Sequence, residues 1–228
     1  MFFRDNEEFG KKGILGQPPS TIPVKINITS MSKIAILSDT HDQVANLRSV
    51  VKFCNKKQIG HMIHCGDLIS PFMLKELGQL NGEVHLIYGN NMGDLTNISA
   101  FCQTRFTNVT HHGPFGEIRY AGLRIGFVHY PHLAEGLASQ GSYDVVCYGH
   151  NHKQQTHRLG STLLINPGQL LGEDNDAGFT VLNSSDLCTS RYRIGNCMFD
   201  HPITVRVQEE VDDTTDHKET NIRPIVIT

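Results

Sequence analysis

Lys33-Ile34-Ala35-Ile36-Leu37-Ser38-Asp39-Thr40-His41-Asp42 is the stretch on which the reading of this chain turns. Its first half is a short, β-branched apolar run, the character of a strand buried on both faces. The run stops at Ser38, and acids and a histidine follow at once. Asp39 and His41 stand two residues apart, so an extended backbone would project both to one side. A hard carboxylate oxygen and an imidazole leaving a strand tip together make half of a metal site. The plainer alternative is a helix cap followed by a surface histidine.

The same rhythm recurs downstream. Residues 43–57 carry Val44, Leu47, Val50, Val51 and Cys54 at helical spacing, with Asp42 as candidate N-cap. A second apolar strand, 62–65, ends at Gly66-Asp67. Pro71 opens a helix to Leu77, and a third strand, 84–88, ends at Gly89-Asn90-Asn91. Strand, polar tip and helix in alternation describe an α/β domain, whose ligands gather beyond the carboxyl ends of the strands.

After Asp94 the pattern shifts. A helix near 95–102 leads to strands around 105–109 and 117–120, then a turn at Ala121-Gly122 into 123–128, which ends at His129. A helix over 132–139 precedes the strand 144–148, which ends at Gly149-His150-Asn151-His152. Residues 154–158 and 162–165 read as a hairpin, and 179–182 and 191–194 as further strands. The second half is more antiparallel, so two packed sheets with helices outside fit best.

The termini read differently. Residues 1–30 are taken as an appendage, because glycines and prolines interrupt any helix and no signal-peptide core is present. Ile22, Val24, Ile26 and Ile28 alternate and speak instead for an edge strand, and Met31 is an alternative start. The domain is placed at 31–207, with a polar, acidic tail at 208–228.

Composition narrows the class. The formal charge of −3 gives no broad surface for nucleic acid or anionic lipid. No apolar run approaches the ~20 residues of a membrane span. Six scattered cysteines without a Cys-x-x-Cys pair argue against a disulfide framework and for the reducing cytoplasm. Cys54, Cys65 and Cys147 have apolar neighbours and are expected to act as core hydrophobes. Of the 13 histidines, several fall at strand ends. His61, His64 and His85 are read as structural, and His111 and His112 as residues of an exposed connecting loop.

Five strand ends therefore carry ligand-type residues: Asp39 with His41, Asp67, Asn90, His129, and His150 with His152. Glycines 66, 89 and 149 directly precede three of them, as a crowded site requires. In type, order and placement these motifs resemble the calcineurin-like metallophosphoesterases. The short chain and Asn166-Pro167-Gly168 after the hairpin look most like the small bacterial and archaeal phosphodiesterase branch.

That resemblance implies an α/β fold, a four-layer αββα sandwich of two mixed sheets flanked by helices. It also implies two divalent metals, with manganese preferred and iron, zinc, nickel or cobalt as alternatives. Asp39, His41, Asp67 and His152 would hold the first. Asp67, Asn90, His129 and His150 would hold the second, with Asp67 bridging. A hydroxide between the metals would attack phosphorus in line. The expected substrate is a small phosphate ester, a diester rather than a monoester, and a homo-oligomer stays open.

Three departures accompany the match. Asn91 stands where many relatives carry a histidine assigned to protonating the leaving group, so Asn91 and His132 join Asp67 as candidate catalytic residues. Asp42 replaces a common glycine, and Gln169 a common serine. Ser70 replaces the tyrosine of the purple acid phosphatases, which argues against an iron–tyrosinate centre. A different class of function is offered by the retromer subunit of the same fold, a protein-interaction scaffold with a degraded metal site. A structural zinc site fits poorly, since such sites are mostly Cys/His.

Overall fold

Alternation along β1 (Lys33–Leu37) decides the layering. Ile34 and Ile36 enter an apolar layer between two sheets, while Ala35 and Leu37 enter a second layer beneath helices. The computed structural model describes residues 32–195 and the strand segments 203–205 and 226–227. In it β1 lies inside an eight-stranded sheet. On one side follow β2 (His61–His64), β3 (Glu83–Leu86) and β4 (Val109–His111), all parallel to β1. On the other side β10 (Gly178–Asn183), β11 (Thr189–Arg193), β12 (Ile203–Val205) and β13 (Val226–Ile227) add by antiparallel pairing.

The second sheet has the order β5-β6-β7-β9-β8. It comprises β5 (Phe115–Tyr120), β6 (Leu123–Val128), β7 (Val145–Cys147), β8 (Gln155–Leu159) and β9 (Thr162–Asn166). Both sheets mix parallel and antiparallel pairs. Helices α1 (Val44–Lys56), α2 (Leu74–Leu77) and α3 (Leu95–Thr104) cover the outer face of the first sheet through Leu47, Val50, Leu77 and Ile98. Helix α4 (Pro131–Ser139) covers the second through Ala134 and Ala138. Three apolar layers thus separate four structural ones, as the expected αββα sandwich requires. Cys54, Cys65, Cys102 and Cys147 are free and buried, and burial pushes the Cys54 thiol up to about 12.

Several local expectations change. Asp42 does not cap α1, whose N-terminus has no side-chain cap. Its carboxylate instead accepts hydrogen bonds from Ser70 N at 2.9 Å and Ser70 Oγ at 2.6 Å. Two departures from the family pattern, Asp42 and Ser70, are therefore one interaction joining two site loops. The strand expected at 105–109 forms later, at Val109–His111, because α3 runs on to Thr104 and Phe106 packs against the core. His111 consequently ends a strand, and His111 and His112 are half-buried rather than exposed. The alternating segment 22–28 and the acidic stretch 208–221 lie outside the described residues. No described helix is long and apolar enough to cross a membrane.

Phe127 is fully buried in the layer between the sheets. Phe127→Ala should lower unfolding free energy by about 3–5 kcal/mol, the cost of a large cavity that neighbours only partly refill. Urea titration of wild type and variant measures it, and an unchanged midpoint would contradict this assignment of the core.

Candidate metal centre

The carboxyl ends of β1, β2, β3, β6 and β7 converge, and each delivers its ligand-type residue to the same place. The loop after β1 folds across the loop after β2. Asp39 N donates to Gly66 O, and Thr40 N and His41 N both donate to Asp67 O at 3.1 Å. Asp39 and His41 are not extended, with φ of 52° and 43°. The shared direction expected from an extended strand is reached instead through a left-handed turn. Asp67, His150 and His152 also have positive φ, so backbone strain concentrates on these loops.

Asp39 is fully buried and Asp67 is 1% exposed. Asp39 Oδ1 lies 3.4 Å from His152 Nε2 and 3.9 Å from His41 Nε2. Asp67 Oδ2 lies 3.5 Å from His41 Nε2 and 3.6 Å from His129 Nε2, between the two halves of the site. Asn90 Oδ1 stands 2.8 Å from His129 Nε2 and 2.7 Å from His150 Nδ1. All seven expected ligands are brought together. Asn91 joins them differently, donating from N and Nδ2 to the two oxygens of Asp67 at 2.8 and 2.7 Å. His132 is exposed at the start of α4 and packs on Tyr130, 5.6 Å between ring centres, rather than against the ligands.

The polar accounting points to cations. Asp39 Oδ1 and His41 Nε2 are buried without a hydrogen-bond partner. Burial alone would raise the Asp39 carboxyl. The His41 and Ser38 side chains, with His129 and His152 beyond, outweigh burial and hold it below its ordinary value. His41 is raised, chiefly by Asp39. His129 is the sharper case. Its Nδ1 lies 2.8 Å from the Cys65 carbonyl, an acceptor, and so carries a proton. Its Nε2, on the other side of the ring, lies 2.8 Å from Asn90 Oδ1. A divalent ion beside these two atoms would accept a lone pair from each. Separations of 3.4–3.9 Å between donor atoms are also those around a small divalent ion with bonds near ~2.1 Å, before the ligands close on it.

Supporting residues fix these groups. His64 is fully buried and neutral, burial lowering it to about 4, and it bridges Thr40 Oγ1 and Gly66 N. Asn166 donates to Gly149 O and to Asn151 Oδ1, bracing the loop of His150 and His152. Gln169 accepts from Gly172 N and Glu173 N, and so holds the loop that places Glu173 Oε2 3.3 Å from His152 Nδ1. A carboxylate on the far nitrogen orients a ligating imidazole. Sequence reasoning missed Glu173, since an acid in a polar Gly-Glu-Asp-Asn loop carries no signal. It also missed Tyr130, whose ring packs on His129 and His150 and whose place beside His129 was the available clue.

The family model of the calcineurin-like phosphoesterase superfamily domain matches residues 32–186. The chain belongs to that superfamily. A phosphodiesterase of Methanocaldococcus jannaschii is 34% identical over 141 residues, covering 61% of this chain and 85% of that protein. A solved archaeal phosphodiesterase superposes with a TM-score of 0.67 at 28% identity, over 71% of this chain and 99% of the other. The zinc complex of Vps29 from Entamoeba histolytica shares the fold, with a TM-score of 0.54 at 19% identity over 72% and 94% of the two chains.

Gly89 and Gly149 show how little room the chain leaves around these ligand-type side chains. A methyl at Gly89 would collide with Asp67 Oδ1 and lie 2.6 Å from Cε1 and Nε2 of His129; one at Gly149 would collide with Ser38. Gly89→Ala should therefore leave the circular dichroism spectrum intact while weakening metal binding about 10–100-fold, the scale of displacing a ligand's support. Titration calorimetry with manganese checks it. Undiminished affinity would place the ions elsewhere.

Proposed function

We propose that this chain is a dinuclear-metal-dependent phosphodiesterase. The observation that carries the reading is the pair of buried atoms without a hydrogen-bond partner, Asp39 Oδ1 and His41 Nε2, the first 3.4 Å from His152 Nε2 and the second 3.5 Å from Asp67 Oδ2. Asp39, His41, Asp67 and His152 would hold one ion, and Asp67, Asn90, His129 and His150 the other. Two such ions, with manganese the first candidate, would supply an ionised water as nucleophile and stabilise charge on the phosphoryl oxygens.

The chain's own residues do the positioning. Asp67 Oδ2, between His41 and His129, fixes the spacing of the two half-sites. Cys65 O and Glu173 hold His129 and His152 in the tautomers that free Nε2. Asn91, tied to Asp67 at the exposed rim, offers an amide donor but no acid. Exposed Phe72, Met92 and Leu133 lie a few residues after Asp67, Asn90 and His129, Phe72 in a short helical turn and Leu133 in α4, and would suit the apolar substituent of a diester. The complete ligand set weighs against the scaffold reading, for which a degraded site was the mark.

Asp67→Asn should reduce turnover by about 10²–10³-fold, more than any other ligand substitution, since one carboxylate serves both half-sites. Metal analysis and rates on the same preparations test this. Two fully occupied ions with near-normal turnover would overturn the assignment.

Leaving-group chemistry supplies the second test. An acid that protonates a poor leaving group contributes about 10²–10⁴-fold, and Asn91 cannot be one. Aryl diesters should therefore be cleaved faster than alkyl monoesters, and Asn91→His should improve the monoesters selectively. Rates for wild type, Asn91→His and His132→Ala on both classes decide it. Strong alkyl monoesterase activity that survives loss of His132 would sink the proposed preference, and no hydrolysis of either class by the metal-loaded chain would favour the scaffold.

A further inference from the structure

We propose that His61, Glu83 and His85 form a separate site for one zinc-class divalent ion, at the opposite end of the strands from the phosphoesterase centre. The register creates it. β2 and β3 run parallel with His61 beside Glu83 and Ile63 beside His85. His61 and Glu83 are the first residues of their strands, whereas the ligands of the main centre follow the last ones. Paired residues share a face, and His85, two residues beyond Glu83, shares it too. Ile63 belongs to the layer between the sheets, so all three side chains open toward the second sheet. Tyr120 from that sheet closes over His61, with ring centres 4.4 Å apart.

One donor atom from each of the three lies within 4.8 Å of the others, and His61 Nδ1 stands 3.8 Å from Glu83 Oε2. Tetrahedral zinc with bonds of ~2.0–2.1 Å separates its donors by about 3.3 Å. The closure needed is small, and the Glu83 side chain, 69% exposed, is free to make it. His85 is already oriented, its Nδ1 lying 3.1 Å from His112 Nε2. An orienting partner on a ligating imidazole is the expected outer support of a metal site. Two imidazoles and one carboxylate favour zinc over magnesium or calcium, and three protein ligands leave a position for water. An ion there would cross-link the amino ends of β2 and β3.

The test is zinc stoichiometry of the full chain by equilibrium dialysis at buffered micromolar free zinc, with cobalt absorption as a second readout. His61→Ala and Glu83→Ala should each bind one ion fewer than wild type and lose one cobalt band. Glu83 is exposed at a strand start, so its variant folds even if that of the half-buried His61 does not. Asp67→Asn perturbs only the main centre, which keeps a failure of that reading distinct from a failure of this one. An equal count in wild type and Glu83→Ala overturns the proposal.

Discussion

A buried carboxylate held between two imidazoles is the constraint on which the rest of this structure depends. Asp67 is 1% exposed, and its Oδ2 lies within 3.6 Å of both His41 and His129. These groups come from β2, β1 and β6, that is, from both sheets. The site exists only if the two sheets pack in one relative register. The inter-sheet layer of Ile34, Ile36, Ile63, Ile87, Phe127 and Cys147 sets that register, because interiors packed to crystal density do not slide. Packing thus positions the chemistry.

Holding the loops costs backbone strain. Positive φ at Asp39, His41, Asp67, His150 and His152 opposes the core's stability by about 1 kcal/mol or more per residue. Local bonds sustain it. Asp67 O accepts from two amides of the β1 loop, and Leu170 N donates to both Ser38 O and Asp39 O. The turn at 166–168 and the Gln169 side chain then tie the loops of His150 and Glu173 to the same frame. The strain spares the strands and falls on loops, five of its positions being in the proposed ligand set.

The sequence disclosed the parts of this design that periodicity and residue chemistry control. The parallel strands, their polar ends and the gathering of seven ligand-type side chains were legible because apolar runs of strand length stop abruptly at Asp, Asn or His. Glycines before ligands were legible for the same reason, and the collision at Gly89 supplies the cause. Long-range partners were not. Nothing local shows that Asp42 bonds Ser70 instead of capping α1, or that Glu173 meets His152 across 21 residues. The β4 boundary was missed because helix and strand propensity overlap near 105, and packing of Phe106 decided it. His85 and His112 were separated by 27 residues and joined only by sheet register.

Charge is consistent with the proposed phosphate-ester substrate. The chain as a whole is anionic, with a formal charge of −3. In the proposed ligand set Asp39 and Asp67 are the only carboxylates, and Asn90 and four imidazoles would bring no negative charge to the ions. Two bound dications would therefore leave surplus positive charge at the mouth of an otherwise negative protein, and a bound ion is the largest local charge in such a site. A phosphate ester is drawn to that local field, although the net charge alone would repel it. Additional acidic ligands would bind the ions more tightly and cancel this surplus. In the proposed reading, uncharged Asn90 and imidazole ligands would trade ion affinity for attraction to an anionic substrate, and the buttressing by Cys65 O, Glu173 and Asn166 would compensate by holding weak ligands in place.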